Sequence, residues 1–112
     1  MDLSVQPEPP FTLTRPARAA APLVLVSAHS GRRYPRDFLA AARLDPLALR
    51  KSEDAFVEEL FAAAPAIGLP LLAAELPRAW CDLNREPWEL DPGMFDAPLP
   101  ADRRTQNRTP RP

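Results

Sequence analysis

Pro22-Leu-Val-Leu-Val-Ser-Ala28, followed at once by His29-Ser30-Gly31, is the stretch that decides the fold. The run is short, almost continuously apolar and rich in β-branched residues. That profile predicts a strand buried on both faces, at the centre of an α/β sheet. The Ser-Gly pair then marks a turn directly after the strand. In open α/β sheets, ligands bind in the loops past the carboxyl ends of the strands. His29, the only histidine of the chain, stands at such an end.

Working outward, Asp37-Phe-Leu-Ala-Ala-Ala-Arg43 reads as a short helix, and Asp45-Pro46 as the N-cap and first residue of another. Ser52 is a further N-cap candidate, with Glu53 and Asp54 in the first turn behind it. Phe56, Val57, Leu60, Phe61 and Ala64 then form an apolar stripe at helical spacing, suited to packing on a sheet. Pro65 and Gly68 stop it. Pro70-Leu-Leu-Ala-Ala-Glu-Leu76 predicts a second strand, and Trp80-Cys-Asp-Leu-Asn84 a third with alternating character. The order predicts an α/β layer fold on a mixed sheet. Residues 1–20 read as an extended proline-rich arm with a short strand at Phe11–Thr14, 21–96 as the α/β domain, and 97–112 as a disordered basic tail.

Composition narrows the function classes. The 112 residues suit one small domain, and a formal net charge of −1 gives no electrostatic case for nucleic acid or an anionic membrane. Sixteen prolines against three glycines exclude a long-helix bundle or coiled coil. No stretch approaches the ~20 apolar residues of a membrane helix. Met1–Thr14 has no signal-peptide pattern, and Cys81 is the sole cysteine, so the expected setting is the cytoplasm.

Three constellations carry possible chemistry. His29 can ligate a metal or shuttle a proton, or it simply caps its turn. Glu53 and Asp54 either answer the helix macrodipole or supply a carboxylate that joins His29 on a divalent cation. In Asp82-Leu-Asn-Arg85 the strand phase puts Asp82 and Asn84 on one face, with Arg85 just past the end, where its fork can grip a carboxylate. The alternative is a salt bridge from Asp82 to Arg85 that closes a turn. Arg78 is either a second anion contact or a plain surface residue, and Arg32 and Arg33 read as solvated loop charges. The arginines of the tail lack the interleaved aromatics of an RNA-binding platform.

Four blocks occur in order: Ala28-His-Ser-Gly-Arg-Arg-Tyr-Pro35, Ser52-Glu-Asp-Ala-Phe-Val-Glu-Glu-Leu-Phe61, Pro77-Arg-Ala-Trp-Cys-Asp-Leu-Asn-Arg85 and Glu89-Leu-Asp-Pro-Gly-Met-Phe95. Together they resemble the N-terminal part of the N-formylglutamate amidohydrolase family. The resemblance implies a fold similar to zinc-dependent exopeptidases. It implies hydrolysis of N-formyl-L-glutamate, an N-acyl amino acid, to formate and glutamate in histidine breakdown. On that likeness His29 is a zinc ligand and Asp54 a second, with Glu53 as the alternative. Asn84 and Arg85 hold a substrate carboxylate, and Arg78 is a secondary substrate residue. Family members are longer. Their third zinc ligand and general-base carboxylate are expected downstream, and this chain has no second histidine. The expectation is therefore an incomplete N-terminal part with little or no activity alone, prone to self-association through uncovered apolar surface. The competing expectation is a non-catalytic remnant or a small module that binds an acidic metabolite.

Overall fold

β-branched and leucine-rich segments supply the sheet, and the computed structural model describes residues 8–86 and 89–100. Its elements run β1 (Phe11–Thr14), β2 (Leu25–Ser27), α1 (Arg36–Ala41), α2 (Pro46–Arg50), α3 (Val57–Leu60), a 3-10 turn at Ala64–Ile67, β3 (Leu71–Ala74) and a second 3-10 turn at Pro92–Met94. The sheet is mixed, as the element order predicts. β3 lies between the other two, antiparallel to β1 with Phe11 opposite Ala74, and parallel to β2 with Leu25 opposite Leu71. Three short helices connect the parallel pair β2 and β3, so the class is α/β.

The stretch that announces the fold is not its centre. Of 22–28 only Leu25–Ser27 form a strand, and it lies at the edge of the described sheet. Val26 is 60% exposed. The strand buried on both faces is β3, where Leu71, Ala73 and Ala74 join Leu49 and Ala64 in the core. The difference has a simple cause. An apolar run specifies a strand, but its place in the sheet depends on which strands pair with it, and β2 pairs only with β3 among the described residues.

Local signals set several boundaries. Asp45 caps α2, its carboxylate accepting from the Ala48 N–H at 2.9 Å with Pro46 in the first turn. Gly68, at φ 88°, takes the left-handed position that ends the 3-10 turn before β3. Gly31 is required by close approach: a Cβ there would lie 2.0 Å from the Leu76 carbonyl oxygen. The turn after β2 is thus pressed onto the chain leaving β3. The Arg33 N–H donates to the Glu75 carbonyl at 2.9 Å beside it, and the buried Ser27 and Ser30 hydroxyls meet at 2.6 Å.

Two expected elements take other forms. Ser52 is no N-cap: its hydroxyl donates back to the Leu49 carbonyl at 2.9 Å. Phe56 then adopts a left-handed conformation, φ 64°, so α3 begins only at Val57. Glu53 and Asp54 consequently lie in the preceding turn, away from any helical first turn. The stripe from Phe56 onward does not cover the sheet, and Leu60 is 78% exposed. Nor do 80–84 form a strand. The Trp80 and Cys81 N–H groups both donate to the Pro77 carbonyl, and the Asn84 N–H donates to the Asp82 side chain. Those donors are spent locally rather than on a neighbouring strand. Among the described residues no helix is long and apolar enough to cross a membrane. The expectation for the arginine tail, from 101 onward, lies outside the described residues.

Candidate metal and anion site

The site is built around His29, at the close of the β2 turn, with its side chain largely buried. Two loops bring a carboxylate to each of its ring nitrogens. Asp54 reaches Nδ1, its Oδ2 3.4 Å away, and the Asp54 N–H also donates to the His29 carbonyl at 3.0 Å. Asp82 reaches Nε2, its Oδ1 2.7 Å away.

Asp82 is the most heavily engaged acid among the described residues. Its carboxylate receives the Asn84 N–H at 3.0 Å and Arg78 Nη2 at 2.9 Å, and Arg85 Nε lies 3.7 Å off. Burial alone would raise its pKa. The bonds from the Asn84 N–H, His29 and Arg78 outweigh burial and hold it down at about 2. Asp82 is therefore ionised at neutral pH, and an ionised carboxylate only accepts hydrogen bonds. Nε2 therefore donates to Asp82, and Nδ1 is the ring nitrogen that faces Asp54.

Nδ1 and the Asp54 carboxylate face one another, so either a ring proton or a cation between them satisfies both. Their 3.4 Å separation exceeds the ~2.7–2.9 Å of an N⁺–H···O⁻ bond. It matches the roughly 3.3 Å between two ligands of a tetrahedral zinc at ~2.0 Å each. A carboxylate on the far nitrogen of a ligating histidine is also the usual outer support of such a site. The residues present therefore fit a zinc-type cation at two of the three protein positions that a catalytic site takes. Among the described residues no group of three His, Cys, Asp or Glu is placed to hold a metal.

Glu53, the alternative to Asp54, points elsewhere. Its side chain, 2% exposed, accepts from the Tyr34 hydroxyl at 2.6 Å and lies 3.3 Å from Arg50 Nε. Burial, reinforced by the bond to Glu53 and its charge, pushes the Tyr34 phenol up to about 12. Arg85 Nη1 meets the Glu89 carboxylate at 3.1 Å, so the guanidinium already grips a carboxylate of its own chain. Asn84 is exposed beside it. Arg78 is turned onto Asp82. Arg32 and Arg33 are not simply solvated: Arg32 pairs with Glu59 at 2.6 Å and Arg33 with Glu8 at 2.7 Å. The residue that sequence reading missed is Asp82, taken there as a partner of Arg85 in a turn. The Arg85 contact exists, but the closer partner is His29, 53 positions away in sequence. The signal was a lone histidine at a strand end, which needs a second group to fix its ring.

Comparison with known proteins agrees with this architecture. No curated protein matches the chain. A crystal structure of N-formylglutamate amidohydrolase from Ralstonia eutropha JMP134 is similar, with 45% identity over 81% of this chain and a TM-score of 0.71. The match spans 33% of that protein, so this chain corresponds to about a third of its length. The sequence profile of N-formylglutamate amidohydrolases matches residues 21–111, and the chain belongs to that family.

Proposed function

We propose that this chain carries the cation-holding part of a metal-dependent amidohydrolase site, with His29 and Asp54 as ligands. The reaction of the whole site would be hydrolysis of N-formyl-L-glutamate to formate and L-glutamate. The observation that supports it is the 3.4 Å approach of the Asp54 carboxylate to Nδ1, on a ring whose other nitrogen is committed to Asp82. Zinc bound there would lower the pKa of its water toward ~7 and polarise the formyl carbonyl.

The chain's own residues do the positioning. Asp82 sets the tautomer and the plane of His29, and Arg78 balances the charge of Asp82. That geometry favours an orienting role for Arg78 over direct substrate contact. Arg85, with Asn84 beside it, would take a carboxylate of the glutamyl group in a forked grip, giving up Glu89 to do so. The overall arrangement would follow the zinc-dependent exopeptidases. A third ligand and a general base would have to come from beyond the residues that form this site, so the chain alone is expected to hydrolyse substrate poorly or not at all. The exposed thiol of Cys81 suits the reducing cytoplasm.

Cobalt(II) and zinc titration of the purified chain tests the reading. Binding should be lost in His29→Ala and in Asp54→Ala, and should tighten when the remaining two thirds of the Ralstonia eutropha protein is added. Binding unchanged by His29→Ala would overturn it. A second reading, a non-catalytic module for an acidic metabolite, draws on the Arg85–Glu89 contact. Cobalt(II) titration separates the two, since only the first expects a cation at His29.

A further inference from the structure

Three aromatic rings connect the two loops that hold His29. The Tyr34 and Phe38 rings stack with centroids 6.1 Å apart, and Phe38 stacks on Trp80 at 5.4 Å with the planes only 7° from parallel. One end of this ladder is bolted to the Asp54 loop, because the Tyr34 hydroxyl donates to the buried carboxylate of Glu53, the residue before Asp54. The other end is Trp80, two residues before Asp82, in a turn pinned twice to the carbonyl of Pro77. Pro77 itself is fully buried.

The contacts close a ring. From His29 the path runs to Asp54, along one peptide to Glu53, through Tyr34, Phe38 and Trp80, and along two peptides to Asp82. It then returns to His29. The loops share no strand pairing with one another. Apart from the ladder, they are joined through the His29 ring and through backbone contacts beside it, the Asp54 N–H on the His29 carbonyl and the Arg33 N–H on the Glu75 carbonyl, none of which holds the Asp82 carboxylate itself.

We propose that the Tyr34–Phe38–Trp80 ladder is a positioning device that sets the distance between the Asp54 and Asp82 loops. It thereby determines which nitrogen of His29 faces the cation position. None of the three rings touches the reacting atoms, and their role is exerted through the two carboxylates. Stacked pairs of this kind contribute ~0.5–1.5 kcal/mol each beyond their burial, and α1 carries the middle ring. The significance for the cation position rests on the functional reading above. The control of His29 geometry does not.

His29 is the only histidine, so its ring nitrogens can be read individually by nitrogen-15 NMR in the metal-free chain. With the pH raised until the ring signals stop moving, the wild type is expected to show one tautomer, protonated at Nε2. Phe38→Leu should give mixed or exchange-broadened tautomers in a chain whose circular dichroism is unchanged. Phe38→Tyr, which keeps the ring, should restore the single form. Where Phe38→Leu does not fold, Trp80→Leu makes the same cut at a ring that is 43% exposed. Unaltered His29 signals in a folded Phe38→Leu or Trp80→Leu chain would overturn the proposal. Cobalt(II) affinity gives a second readout, with a tenfold to hundredfold loss expected for either variant. If wild type binds no cobalt, the metal reading fails while the tautomer measurement still decides the ladder.

Discussion

Replacing Asp82 by asparagine tests the centre of the structural argument. The carboxylate is held at about 2 instead of an ordinary 3.8. At about 1.4 kcal/mol per tenfold, that difference corresponds to ~2 kcal/mol of folding stability. The side chain is 20% exposed, so little of this is lost to solvent screening. Because the folded value is depressed, the contribution is complete above about pH 4 and is lost as pH falls through about 2. Asparagine keeps the size and one acceptor oxygen, but its amide group cannot accept from Arg78. Urea unfolding of the metal-free chain at neutral pH should therefore show Asp82→Asn destabilised by ~2 kcal/mol. The wild type should lose a similar amount between pH 4 and pH 2 that the variant has already lost, so the two curves converge in acid. A cost at neutral pH below about 0.5 kcal/mol, with parallel acid profiles, would refute the assignment of Asp82 as the anchor of His29.

Two further expectations concern the frame around the site. Tyr34 is the only tyrosine, so alkaline difference absorbance reads its ionisation directly. It should titrate near 12, and Glu53→Gln should bring it down toward 10. Since the folded value is raised, the stabilisation is complete below about pH 10 and disappears as pH rises through about 12. Gly31→Ala should cost at least ~2 kcal/mol in chemical denaturation or prevent folding, because the new Cβ meets backbone at Leu76 that cannot yield.

The chain shows which signals survive without tertiary context. The Asp45-Pro46 cap and the stop at Gly68 were legible because each depends on a few adjacent residues. His29 was legible as a candidate from its place at the end of an apolar strand, and the structure brings the Asp54 and Asp82 carboxylates to its ring. The segments that differ are those where side chains compete with regular hydrogen bonding. Ser52 donates backward to Leu49, and Asp82 captures the Asn84 N–H. Either bond removes a backbone pattern that periodicity takes for granted. The alternation in 80–84 was genuine, but Trp80 answers to Phe38 and Asp82 to His29. The pairing of Asp82 with His29 spans most of the domain and leaves no trace at short range.

The two nitrogens of His29 divide the work of the site in a way that bears on what a chain of this length contributes. Everything on the Nε2 side is complete: Asp82 is ionised, balanced by Arg78 and tied to its own loop. Everything on the Nδ1 side is open, with Asp54 54% exposed and too distant for a good hydrogen bond. A histidine fixed on one nitrogen and open on the other has already met the orientational cost of ligation before any cation arrives. On the proposed function, a cation would close the Nδ1 side without rearranging the Nε2 side. Arg85 would follow the same logic for a substrate carboxylate, since it rests on Glu89 and could exchange one carboxylate for another without exposing a bare charge. On the proposed function, the residues of this chain would supply orientation, and the groups that complete the cation's coordination and move the proton would decide the rate.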